Sequence, residues 1–240
     1  MKQYRNFMFV VLLFVGFSLY SNPAVQANQL TVAVLDFKDN SPFPSADLKP
    51  MEQGLANMMI TTFAQISGLK VIERSQLQAL FDEMALGQSG MLDEQTAQQV
   101  GKLSGAQFLV FGSFMKGMKD DIRIDVRIVK TETGVTVKAE ESSGKLKDIL
   151  KLMSKLEEKI ATDLDVKFTE HDKEVMKDLD GGCSQELVMK YFQAVDLIDS
   201  KQYRKADALL GEIIKECPKF KRAVVTRRHM RARLKEALQK

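Results

Sequence analysis

The sequence predicts a mixed α/β fold, a β-sheet packed with helices, followed by a small all-α unit. Three observations predict it. Residues 30–37 and 107–114 are apolar on both faces, as strands covered on both sides must be. Between them, apolar residues recur at three- and four-residue steps, the stripe of a helix lying on a sheet. Residues 121–129 then alternate Ile122, Ile124, Val126 and Ile128 with Arg123, Asp125 and Arg127, a strand with one wet face.

At 240 residues, with 45% hydrophobic and 28% charged, the chain can bury a core and divides into one or two domains. Its 13 methionines suit gap filling in that core or adaptable contact surfaces. Residues 1–27 have the form of a cleaved secretory leader. Lys2 and Arg5 precede an apolar run over 7–20, and Val25-Gln26-Ala27 offers small residues at −3 and −1, with cleavage before Asn28. The run is shorter than the ~20 residues of a spanning helix. No cysteine lies near the cleavage point to carry lipid, and no later stretch can span a bilayer as a helix. The expected location is the periplasm, with the chain at most peripheral to the outer membrane. Losing the leader lowers the formal charge from +3 to +1. That charge is uneven. Residues 219–240 carry nine Lys or Arg and one Glu, so the body before them is acidic.

Taken in order, residues 30–37 form the first strand, and 38–50, with Asn40, Ser41, Pro42, Pro44 and Pro50, a loop. Met51, Leu55, Met58, Met59, Thr62, Phe63 and Ile66 make one helical stripe, closed by Gly68 as a left-handed cap. Residues 69–73 are a short strand. Ser75 caps a helix with Leu77, Leu80, Phe81 and Met84 inward, broken at Gly87–Gly90. Asp93 and Glu94 start the next helix, where negative charge suits the dipole, with Ala97, Val100 and Leu103 inward and Gly105 as cap. The strand at 107–114 leads into the alternating one, and 135–139 returns after a turn at 131–134. A last helix over 146–164 turns Ile149, Leu150, Met153, Leu156, Ile160 and Leu164 inward. The order β-α-β-α-α-β-β-β-α implies a mixed sheet with helices packed on it. The expected division is leader 1–27, α/β domain 28–165, charged linker 166–182 with a helical middle, and helical unit 183–240.

Five pieces of the α/β domain carry a family resemblance: Val34-Leu35-Asp36-Phe37, Glu73-Arg74-Ser75, Asp93-Glu94-Gln95-Thr96-Ala97, Gly105-Ala106-Gln107-Phe108-Leu109-Val110-Phe111-Gly112, and Arg127-Ile128-Val129 before Thr133-Gly134. In that order they resemble the curli production assembly/transport component CsgG family, within a wider FlgO/LpoB-like superfamily. The resemblance implies a non-enzymatic envelope protein that assembles, secretes or activates something else. Two features depart from curli channel subunits. Those subunits are lipoproteins, whereas no lipobox cysteine stands here. They also carry long insertions that form membrane hairpins. Each membrane strand needs ~9–11 residues, but residues 106–144 hold only three ordinary strands, one with charge on its outer face. The binding role transfers more readily than the pore.

In the helical unit, Ala194, Leu197, Tyr203, Ala206, Leu210, Ile213 and Pro218 match the spacing of one tetratricopeptide (TPR) repeat, with an ordinary amphipathic hairpin as the alternative. A lone repeat cannot bury its own faces, so this unit must lean on the α/β domain, a second copy or a partner. Cys183 and Cys217 bracket the hairpin at neighbouring ends, and export makes a disulfide the expected state; two buried thiols are the alternative. A final basic helix over 220–238 places Phe220, Ala223, Val224, Met230, Leu234 and Leu238 on one arc. Arg222, Arg228, Arg233 and Lys235 fall outside that arc, and Arg227 and Arg231 interrupt it. These six cations are candidate partner contacts, unless the helix is simply solvated. Nucleic acid is not an expected partner of an exported chain.

Chemistry is sparse. His171 and His229 have no metal-ligand spacing, and no phosphate loop or nucleophile motif is present, so no catalytic, metal or cofactor residue is assigned. Asp36, Asp39, Glu73 and Arg74 cluster at strand ends, where α/β sites form, but no base or nucleophile completes them. The expected function is a non-catalytic periplasmic accessory or assembly factor acting by protein–protein binding, self-association included. The alternatives are a subunit of an outer-membrane secretion channel and, last, a periplasmic enzyme.

Overall fold

The computed structural model describes residues 29–83, 94–179 and 182–237. The leader, the Gly87–Gly90 break, Met84 and Leu238 lie outside the described residues. The fold is α/β, a mixed sheet with helices on both faces. Strand β1 (Leu30–Val34) lies between β3 (Leu69–Val71) and β4 (Phe108–Lys116), parallel to both. Strands β5 (Asp121–Lys130) and β6 (Thr136–Lys145) follow antiparallel, giving the order β3-β1-β4-β5-β6. A two-residue strand, β2 (Lys38–Asp39), continues the line of β1 beyond a break and pairs with the far end of β4. The segment expected as one loop thus begins with a strand. It also holds a short 3-10 turn, Ala46–Leu48, that buries Leu48.

The connections set which face each helix covers. Helix α1 (Pro50–Phe63) joins β1 to β3 on one face; α2 (Arg74–Glu83) and α3 (Glu94–Ser104) join β3 to β4 on the other. On that second face a small core gathers Ala33, Leu35, Leu77, Ala97, Val100 and Leu109. The expected inward residue Leu103 is 57% exposed. The row facing the sheet runs through Ala97, Val100 and Gly101 instead. At Gly101 a Cβ would sit 2.1 Å from Thr131, so α3 lies too close to the sheet to turn Leu103 under itself. Gly105 ends α3 in the left-handed region at φ 72°, whereas Gly68 does not adopt positive φ. Among the described residues, this second face is covered over β3, β1 and β4 alone. Over β5 and β6 it is open, which explains the Ile/Arg alternation of β5.

The first face carries the larger core. Val110, Phe114, Ile124, Val126 and Ile128 from the sheet meet α1 and α4 (Ile149–Asp163). Behind these lie α6 (Gln185–Asp199), α7 (Tyr203–Glu216) and α8 (Lys221–Ala237), whose Tyr191, Phe192, Leu210, Ile213, Phe220 and Ala223 belong to the same apolar cluster. The helical unit therefore leans on the α/β core, chiefly α6 on α1. Gly54 makes the approach possible, since a Cβ there would lie 2.0 Å from the Phe192 ring. A buried polar link accompanies it. The Tyr191 hydroxyl donates to Asn57 Oδ1 at 2.7 Å and lies 3.1 Å from the Thr226 hydroxyl, tying α6 to α1 and α8.

The charged stretch after α4 contains α5 (Glu170–Asp178), opened by a capping box between Thr169 and Asp172. Asp172 also accepts from the Ser67 amide and hydroxyl, both at 3.0 Å, which fixes α5 to the turn before β3. Among the described residues, no helix is long and apolar enough to cross a membrane.

Candidate functional site

The basic final helix was the first candidate surface, and most of its charge is spent inside the molecule. Arg222, expected outside the apolar arc, is buried completely. Its Nη2 meets Glu157 Oε2 of α4 at 2.8 Å, and its Nη1 donates to the Met58 carbonyl at 2.6 Å and Thr62 Oγ1 at 2.7 Å. It is corrected from a surface contact to an internal fastening between α8, α1 and α4. The geometric reason is that Arg222, Thr226 and Met230 share one i, i+4 row, and that row faces the core.

Arg227 and Arg231 both grip Asp207 of α7 in bidentate fashion, with Arg227 at 2.9 and 2.9 Å and Arg231 at 2.6 and 2.8 Å. The hydrogen bonds from Arg227 and Arg231 hold the Asp207 carboxyl far below the usual carboxylate range. Arg233 reaches Glu73 at 3.1 Å and hydrogen-bonds Ser75, at the start of α2. Arg228 and Lys235 are exposed and carry no ion pair among the described residues. Of six candidate cations, two remain open to a partner.

In the hairpin, Ala194, Ala206, Leu210 and Ile213 are buried, Leu197 and Tyr203 half-buried, and Pro218 exposed just past the end of α7. Cys183 and Cys217 are joined by a disulfide that closes the hairpin's open end.

A second candidate surface is the open side of the sheet. Among the described residues, strand β6 is an edge strand with one side unpaired. Its outward Ala139, Glu141 and Ser143 stand beside Arg127, Asp125 and Arg123 of β5, and Arg123 binds Asp125 at 2.7 Å and Glu141 at 2.6 Å. Charges along an edge discourage unspecific strand pairing. At the far end of this sheet, near the β4–β5 turn, Met118 is 82% exposed.

The third feature is a cleft of about 960 Å³ at the C-terminal ends of β1 and β3, roofed by α6 and α8. It contains the residues the sequence grouped at strand ends, except Asp39, whose carboxylate caps its own loop by accepting from the Ser41 amide at 2.8 Å. Arg74 is the pivot. Its Nη2 contacts Asp36 Oδ1 at 2.9 Å and Asp199 Oδ2 at 2.8 Å, and its Nη1 donates to the Gln53 carbonyl at 2.9 Å. Burial raises the Asp36 carboxyl despite the attraction of Arg74. Asp199 is pushed up to about 6 by burial, with Asp36 and Asp196 adding repulsion. Asp199 was missed in the sequence, because nothing local connects a residue at the end of α6 with a pair 125 positions earlier. His229 lines the cleft, whereas His171 is exposed on α5. Among the described residues, no group of three His, Cys, Asp or Glu could hold a metal ion.

The family model described as curli production assembly/transport component CsgG matches residues 14–116, ending with β4. The match takes in the first four of the five pieces that carry the resemblance, and the fifth, Arg127 to Gly134, lies beyond it. No curated protein matches the chain. Similar solved structures include the LpoB C-terminal domain from Escherichia coli, 14% identical, covering 51% of this chain and 86% of that one with a TM-score of 0.39. Another is a PelC dodecamer from Paraburkholderia phytofirmans, 11% identical, covering 59% and 91% with a TM-score of 0.38.

Proposed function

We propose, taking as premise the CsgG family resemblance that residues 14–116 carry, that this chain is a non-catalytic exported envelope protein. It acts in the periplasm as an accessory or assembly factor, by binding other proteins. The family match is the observation that carries this reading. In this reading residues 28–165 are the CsgG-like unit and 183–240 a TPR-like hairpin with its basic helix, a brace on that unit. The compact β4–β5–β6 meander supports a binding role over a pore. Only residues 117–120 separate β4 from β5, and β5 carries Arg123, Asp125 and Arg127 on its outer face. Lipid would not accept that face.

The test is crosslinking in the intact envelope, followed by recovery of the chain and fractionation at low and high salt. The expected outcome is a chain in the soluble periplasmic fraction joined to one envelope protein. A detergent-requiring oligomer in the outer membrane would replace this reading with the channel.

A further inference from the structure

We propose that the cleft at the ends of β1 and β3 is a binding site for the cationic head of a lysine or arginine side chain on an extended segment of a partner polypeptide. The inference rests on the protein-binding reading above and names where and by what chemistry such a partner is held.

The argument starts from charge. Of the charged side chains lining the cleft, Lys70 and Lys201 are exposed, and with them Asp36, Glu73 and Asp199 stand beside the guanidiniums of Arg74 and Arg233. Arg233 is matched by Glu73 at 3.1 Å, so Asp36 and Asp199 are left to share Arg74. One positive charge between two carboxylates leaves the inner cleft negative, and a partly dry site makes that deficit matter more than it would in water. Burial raises the carboxyls of Asp36 and Asp199, and the single Arg74 guanidinium offsets this only in part.

Hydrogen bonding points the same way. Gln53 lines the cleft next to Arg74, and its side-chain oxygen is buried with no hydrogen-bond partner among the described residues. A buried acceptor left unpaired is unfavourable, and here it calls for a donor. An ammonium or guanidinium group brings several donors and no acceptor. An anionic ligand would find both guanidiniums occupied and only the exposed Lys70 and Lys201 to meet it. Arg74 already engages two carboxylates and a carbonyl, and Arg233 already engages Glu73 and Ser75.

Shape completes the case. Ile60, Ile198, Met230 and Leu234 line the cleft, an apolar sleeve for the methylene stem of a long basic side chain. The volume of about 960 Å³ exceeds what a lone side chain fills and leaves room for flanking backbone. The position, beyond the carboxyl ends of parallel strands, is where α/β sheets place ligands.

The test is titration of the chain, followed by amide NMR, with acetyl-Ala-Val-Lys-Val-Ala-amide and with the same peptide carrying norleucine or glutamate in place of lysine. The lysine peptide is expected to shift the amides of Arg74, Ser75 and Asp199 and to bind about ten-fold or more tighter than the norleucine peptide. The double variant Asp36→Asn/Asp199→Asn should lose that preference. Asp199→Asn alone, at a half-exposed helix end where folding is not at risk, should weaken it. Equal binding of lysine and norleucine peptides would overturn the proposal, as would preference for glutamate, shifts away from the cleft, or n-butylammonium binding as well as the peptide. Crosslinking in the envelope separates the two readings. A partner recovered equally by wild type and double variant leaves the binding function standing and removes the cleft from it. A lysine preference without any recovered partner does the reverse.

Discussion

Arg222 and Arg74 each fasten segments far apart in sequence, under opposite conditions. Arg222 sits in a dry core with one carboxylate, Glu157, and both side chains are 1% exposed. Arg74 sits at a cleft with two carboxylates, and the wetter of them, Asp199, is 36% exposed. The first centre is balanced in charge and closed to solvent, so it can only hold the fold. The second has more negative than positive charge and keeps an open side, so it can still accept something. The difference teaches that an ion pair's stoichiometry and access, more than its distance, separate a fastening from a site. The shortest ion-pair distances at the two arginines are equal, 2.8 Å to Glu157 and 2.8 Å to Asp199.

The sharpest way to break this comparison is to remove the dry arginine. Arg222→Ala takes away the guanidinium that the buried Glu157 carboxylate is paired with, at a cost of about 3–5 kcal/mol. For a chain of this size that is roughly 6–20 °C in Tm by thermal unfolding. The paired change Arg222→Met with Glu157→Leu removes both charges and should recover most of the loss. A single variant that melts like wild type would mean the pair is not buried in solution.

Opening the hairpin comes next. Cys183→Ser with Cys217→Ser releases a loop of 34 residues. The chain-entropy model puts this at roughly 3–4 kcal/mol. Because α6 also packs on α1, the variant should still fold, with loss read by urea midpoint. Gly54→Ala attacks that packing directly. The new methyl collides with Phe192, and overpacking of this kind costs about 1–3 kcal/mol. Fluorescence of a probe attached at residue 228 would report α8 loosening if the helical unit is braced through Gly54, and no change if it is not.

Much of the architecture was legible in the sequence because it rests on local rules. Doubly apolar strands, a one-faced alternating strand and helical stripes each follow from burial at a fixed period, and they reproduced the element order. The Arg222–Glu157 pair had a signal that was passed over. Glu157 lies on the same stripe as Met153 and Ile160, and Arg222 on the row of Thr226 and Met230. Two opposite charges, each on an apolar stripe, imply one another. The cleft had no such signal. Asp36, Arg74 and Asp199 meet only because β1, β3 and the end of α6 converge, a product of tertiary packing. Likewise, the charge run of α8 looked like a free surface, although Asp207 and Glu73 neutralise much of it.

The smallest effect gives the most direct reading of the contrast, because two aspartates should respond to pH with opposite sign. Asp199 in the folded protein titrates at about 6, above its ordinary 3.8, so folding favours its protonated form. Its contribution is fully present below pH 4 and is lost as pH rises through 6. The shift of about two units would be near 3 kcal/mol for a dry group, but a carboxyl this exposed is screened to about 1 kcal/mol. Asp199→Asn should therefore match wild type at pH 4 and exceed it by about 1 kcal/mol at pH 7.5. Asp207 is held low by Arg227 and Arg231, so its stabilisation is present above the unfolded pKa and is lost progressively as pH falls from there through the much lower folded pKa. Asp207→Asn should accordingly fall below wild type at pH 7.5 and converge with it in acid. Urea midpoints of the three proteins from pH 7.5 down to about pH 2 decide the matter. Curves for Asp199→Asn that run parallel to wild type would mean the cleft holds its two carboxylates as comfortably as the core holds one, and the distinction between fastening and site would fail at Arg74.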